Sequence, residues 1–240
     1  DPHRDGFAAR HGVLAAGYGS RPDPEDPAQV LAMPMVLHLP KVDPPARSDL
    51  LAAAASATVA LCLDERVGPD DDGEPGPWQD AFREWADARI RKVARRARGA
   101  QWLAAQDVDG VTVDVAGAQA RALVPGPVGA LDPRIRKLQI GGTDLEHDEP
   151  GPVPDGVPTL WVNASLGMSV GKAAAQVGHA SMILAGAMPW NGCAVGPRTA
   201  IAARCATPTP GSGPNCVTKS LAVPPWRCAT PGSPRLRPVP

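Results

Sequence analysis

Thr159-Leu-Trp-Val-Asn-Ala-Ser-Leu-Gly-Met-Ser-Val-Gly-Lys-Ala-Ala-Ala-Gln-Val-Gly-His-Ala180 is the stretch that decides the fold. Residues 159–162 read as a strand, 163–170 as a loop, and 171–188 as an Ala-rich helix. A glycine-containing loop with Lys172 opening a helix suits an anion, because backbone N–H groups and a full positive charge meet there. It is not a nucleotide P-loop. That motif needs four residues between its glycines and a hydroxyl after the lysine. Here Gly167 and Gly171 enclose three, and Ala173 follows Lys172. Lys172, Gln176, His179 and Ile183 share one helical face, beside a face of Ala173, Ala174, Ala180 and Leu184. The row is either a binding face or a buried helix with a solvated lysine and a core histidine.

Upstream, the same alternation is already present. Residues 35–39 read as a buried strand and 46–63 as a helix. A second helix, with Phe82, Trp85 and Ala86 at helical spacing, is expected over 78–90. Strands at 92–97, 111–115 and 121–124, with a short helix at 99–106, complete the set. Strand–helix alternation of this kind points to an α/β fold. The organisation follows as a weakly helical leader over 1–32, a first unit over 33–150, and a second over 151–195. A Pro- and Gly-broken linker at 146–158 precedes the second strand–helix start. Residues 196–240 hold ten prolines and no acid, and read as disordered.

Composition narrows the function classes. With only 4% aromatic residues, a core must be built from Ala, Val and Leu. The longest apolar run, residues 50–63, is too short for a membrane span, which needs about 20 residues. The first residues do not make a secretory signal. No initiating Met is present, so a fragment and a cytoplasmic setting are the expectations. All 25 acidic residues lie at or before Asp155, whereas 156–240 carries seven basic ones. That asymmetry marks either a nucleic-acid-facing region or an odd composition. Cys193, Cys205, Cys216 and Cys228 match no zinc spacing and no histidine follows His179, so no metal is expected. Arg89-Ile-Arg-Lys-Val-Ala-Arg-Arg-Ala-Arg98 is either a phosphate-contacting surface or a solvated face.

Met168-Ser-Val-Gly-Lys-Ala-Ala-Ala-Gln-Val-Gly-His-Ala180 resembles the first-helix signature of the second class of peptidyl-tRNA hydrolases. In that family a first strand is followed by Gly-Lys, small residues, Ala-Gln, two spacers and His-Ala. The match covers residues 159–188. The resemblance implies a small mixed sheet flanked by helices, a homodimer, and hydrolysis of the peptide–tRNA ester without cofactor or metal. It makes Lys172 the catalytic residue and Gln176 and His179 substrate-binding positions. Arg95, Arg96 and Arg98 would contact the phosphates of peptidyl-tRNA. An alternative is a catalytically inactive relative that binds tRNA or another partner.

The family's second signature, Asp-Ala-Gly-x-Thr followed by Ala-Pro-Gly, does not occur in residues 181–240. Its nearest approach is Asp114-Val-Ala-Gly117, inside a first unit that reads as a degenerate copy over 33–142, giving two tandem related units. The tail offers another source. Regrouping synonymous codons of residues 227–240 one nucleotide back spells Val-Arg-Asp-Ala-Gly-Phe-Thr-Glu-Val-Ala-Pro-Gly-Thr. The tail therefore reads as out of frame, with a slip between Met188 and Cys205. A chain so altered is expected to be impaired as a hydrolase.

Overall fold

The first strand, β1 (Leu31–His38), is apolar at nearly every position and buried along its length. A run without alternation is what a strand covered on both faces requires. The computed structural model describes residues 2–69, 73–153, 157–188 and 202–206, and places β1 inside a mixed sheet. β2 (Lys92–Ala97) runs parallel to it on one side. β4 (Ala118–Leu123) runs antiparallel on the other and pairs in turn with β3 (Gly110–Val115). The order is β2-β1-β4-β3, with the two-residue β5 (Gly126–Pro127) pairing with the start of β1. The helices are α1 (Pro2–Ala15), α2 (Arg47–Cys62), α3 (Gln79–Ala86), α4 (Ala100–Gln106), α5 (Pro133–Arg136) and α6 (Val170–Ala187). A separate parallel pair joins β6 (Thr159–Asn163) to β7 (Ala202–Ala206). The chain is an α/β protein with a mixed sheet flanked by helices.

The period of two along β1 divides its neighbours. Met33, Met35 and Leu37 join the cluster built around α2, whereas Val36 joins Ala97, Trp102, Leu123 and Ile135 on the opposite face. The helix after β1 therefore covers one side of the sheet and α4, the helix after β2, covers the other. α2 contains no Gly, no Pro and one β-branched pair, Thr58-Val59, so propensity and burial agree over its length. Burying each of Leu50, Leu51 and Leu61 contributes about 2 kcal/mol.

α2 and α6 run side by side in the same direction as a layer between the main sheet and the β6–β7 pair. Arg47 donates to the Met168 carbonyl at their starts. Further along, the Ser181 hydroxyl donates to the Ala55 carbonyl, and Gly178 lies against Thr58. A Cβ built at Gly178 would stand 2.9 Å from the Thr58 hydroxyl, so only glycine allows this approach. Ala55 and Gly178 are each the ninth residue of their helix, and Thr58 and Ser181 each the twelfth. The contact is thus reciprocal, as across a two-fold interface between like partners. The reciprocity extends outward, since α6 lies on β2 and α2 lies on β7.

Several expectations need correcting. The leader is partly a docked helix: Leu14 is buried, His11 Nε2 meets the Ala185 carbonyl at 3.0 Å, and Arg10 donates to the Leu63 carbonyl. The expected helix over 78–90 ends at Ala86, where Asp87 caps it and the chain turns through Ile90 at a φ of 43°. The linker is tied down at Asp148, whose carboxylate accepts from the Ser48 N–H and hydroxyl at the start of α2. Within the expected disordered tail, residues 202–206 form β7, which adjoins β6 because a parallel partner satisfies its backbone groups. The rest of 196–240 lies outside the described residues. No helix among the described residues is long and apolar enough to cross a membrane.

Candidate functional site

The start of α6 is built by local hydrogen bonds. Asn163 Oδ1 accepts from the Ser165 N–H, and Gly167, at a φ of 55°, redirects the chain toward the helix. Ser169 is the N-cap, its hydroxyl accepting from the Lys172 N–H at 3.4 Å. The Gly171 N–H donates to the Thr143 hydroxyl at 3.0 Å. Two of the first N–H groups are thus engaged within the protein, and the Lys172 ammonium adds a full positive charge at this end. Its side chain is exposed and makes no hydrogen bond or ion pair among the described residues. Gln176, one turn on, is exposed as well.

His179 does not continue that row into solvent. It is half-buried, with Nδ1 2.7 Å from the Ala175 carbonyl and Nε2 3.0 Å from the Ile90 carbonyl. The helical face it shares with Lys172 is open at the first turn and closed at the third, where the turn into β2 crosses it. Burial, helped by the charge of Lys92, pushes the imidazole down to about 4, although both carbonyls favour the protonated ring. At neutral pH the ring is uncharged and donates from one nitrogen only. Expected as a substrate-binding position, His179 is placed where it anchors α6 to the segment before β2, both ring nitrogens facing backbone carbonyls.

Beside it lies a group that the sequence reading missed. Lys92 is 8% exposed, its stem running past Gly178. Its ammonium donates to the Ile90 carbonyl at 3.3 Å, lies 3.1 Å from Met182 Sδ, and sits 4.8 Å from the Trp85 ring centroid. Burial pushes it down to about 7, and burial raises the enclosed Cys62 thiol to about 12. The basic run hid this residue, because a lysine among arginines looks like surface.

The run itself is split by the strand it sits on, since successive side chains of β2 point to opposite faces. Arg95 turns under the sheet and donates to the Arg136 and Leu138 carbonyls, at 3.2 and 2.8 Å. Burial pushes its guanidinium below the usual range. Through these two carbonyls it braces α5. Arg96, on the other face, donates to Gln139 Oε1. With Arg98 it lines an open pocket of about 160 Å³, together with Leu39, Ala97, Gln101, Lys137 and Gln139. Lys137 and Gln139 were not singled out by sequence. The available signal was the basic string Arg134-Ile-Arg-Lys137 after the Asp132 cap.

The Asp114-Val-Ala-Gly117 stretch is the β3–β4 hairpin turn. Ala116 and Gly117 have φ of 51° and 84°, and Asp114 Oδ1 accepts from the Gly117 N–H. Its carboxylate is spent on the turn. Comparison with protein-family models, with curated proteins and with solved structures finds no match.

Proposed function

We propose that this chain is a relative of the second class of peptidyl-tRNA hydrolases that engages peptidyl-tRNA through Lys172. One observation carries the reading: in the segment that resembles the family's signature, Lys172 is exposed and unengaged at the start of a capped helix. A cation there opposes the helix dipole, a cost of about 0.5 kcal/mol that an anion at the same place would reverse. Hydrolysis of the ester puts negative charge on the carbonyl oxygen as water adds to carbon. The bond to the 3′ ribose oxygen then breaks, and that oxygen leaves with a proton. The Lys172 ammonium would hold the developing oxyanion. Gln176, exposed on the next turn, would orient the ester.

A second reading has its own support. The Lys172 ammonium has no carboxylate or hydroxyl bonded to it among the described residues, so no base paired with it is on hand to take the proton from water. A relative that binds peptidyl-tRNA without turnover would look the same. Release of the peptide from peptidyl-tRNA by the full chain, measured beside binding of the same tRNA, separates the two. The first reading expects slow release above the buffer rate. Binding without release selects the second, and absence of both ends the proposal. A monomer–dimer measurement would test the homodimer that the resemblance implies.

A further inference from the structure

We propose that the pocket at the carboxyl ends of β1 and β2 is a binding site for a phosphate group, held by Arg96, Arg98 and Lys137. The proposal is independent of Lys172 and of the hydrolase reading. It begins with topology. β1 and β2 are adjacent and parallel, and the helices that follow them, α2 and α4, leave to opposite faces of the sheet. Where two such connections diverge, a crevice opens beyond the carboxyl ends of the strands, and ligands of α/β sheets bind in crevices of this kind. Here the crevice is lined by Leu39, just past the end of β1, and by Arg96, Ala97 and Arg98 at the end of β2.

Its chemistry is one-sided. Three cations and two amides, Gln101 and Gln139, line it, and no carboxylate among the described residues does. Asp132, whose carboxylate feels Lys137, is already bound by the Arg134 guanidinium through both oxygens, at 3.0 and 2.8 Å. Arg96 is held by Gln139, whose Oε1 accepts from its guanidinium and whose carbonyl accepts from its N–H, and the guanidinium lies near Gly142. Gly142 has a φ of 65°, which favours glycine, and a Cβ there would stand a close 3.2 Å from the guanidinium. So one fork is preorganised, and two flexible cations can close on a ligand from the solvent side. Fixed and mobile donors around an open concavity suit the oxygens of a phosphate, with the remainder of the ligand outside.

The test uses the full chain at low ionic strength, titrated with inorganic phosphate, AMP, adenosine and a short single-stranded RNA. Phosphate-bearing ligands should bind and adenosine should not, and their ranking names the source of the phosphate. Arg98→Gln and Lys137→Gln, both exposed and with side chains outside any hydrogen bond among the described residues, should each weaken binding about tenfold. Arg83→Gln on α3, outside the pocket, should bind as the wild type does. Circular dichroism checks that each variant is folded. Binding of adenosine as tight as AMP, no binding of any phosphate-bearing ligand, or a folded Arg98→Gln/Lys137→Gln double variant that binds normally would each overturn the proposal.

Discussion

α2 and α6 occupy reciprocal places in the molecule, yet one is enclosed and the other is open. Counted from their first residues, Lys172, Gln176, His179 and Ile183 of α6 stand where α2 has Asp49, Ala53, Ser56 and Ala60. On α2 that stripe is covered by β3 and β4, and Ala53, Ser56 and Ala60 are buried. On α6 the same stripe presents Lys172 and Gln176 to solvent and leaves Ile183 39% exposed. Trp161 on β6 is 53% exposed as well. Small residues fill the covered stripe of α2, and the polar row lies on the open stripe of α6.

The largest effect expected from this comparison lies under α6. Lys92 releases its proton at about pH 7 in the folded chain against 10.5 when unperturbed. Between those values the unfolded chain binds a proton that the folded chain lacks, so stability rises with pH across that window. The shift corresponds to about 5 kcal/mol at most. Lys92→Met should be the more stable protein at pH 7 and below, with the difference fading toward pH 10.5. Urea unfolding of both proteins across that range checks it, and parallel curves would show that Lys92 is charged and well solvated.

Next comes the reciprocal contact itself. Gly178→Leu and Ala55→Leu should each destabilise by about 3 kcal/mol, because both overfill the seam between α2 and α6. Similar shifts of the denaturation midpoint sharpen the comparison. A large effect at one position only would break it.

A smaller effect belongs to His179, held down at about 4 against 6.5. Here too the unfolded chain binds the extra proton, so stability rises with pH from about 4 to 6.5. After screening at a partly exposed site the gain is about 2 kcal/mol. His179→Gln should flatten that limb, as thermal unfolding at stepped pH would show. An unchanged limb would detach His179 from the fold.

Much of this architecture was legible in the sequence, and the failures share a cause. Periodicity located β1, α2, β2 and α6, because each buries a continuous stripe against a neighbour. It misplaced the end of α3, where the chain turns through Ile90 instead of completing another helical turn. Local pattern also says nothing about which neighbour arrives. His179 looked available until the turn before β2 crossed its face. Arg95 and Arg96 looked equivalent until the strand separated them, and Lys92 looked like surface until Gly178 let α6 close over it. The pocket draws on three separate segments, ending β1, ending β2 and following α5, and no single motif contains it.

Lys172→Ala tests the central claim most directly. The variant should fold as the wild type does and gain about 0.5 kcal/mol, because a cation leaves the positive end of a helix. Release of peptide from peptidyl-tRNA should be followed for both proteins at equal concentration and matched circular dichroism. The account predicts measurable release by the wild type and a loss of about a hundredfold or more in the variant. Equal rates from the two folded proteins would contradict it.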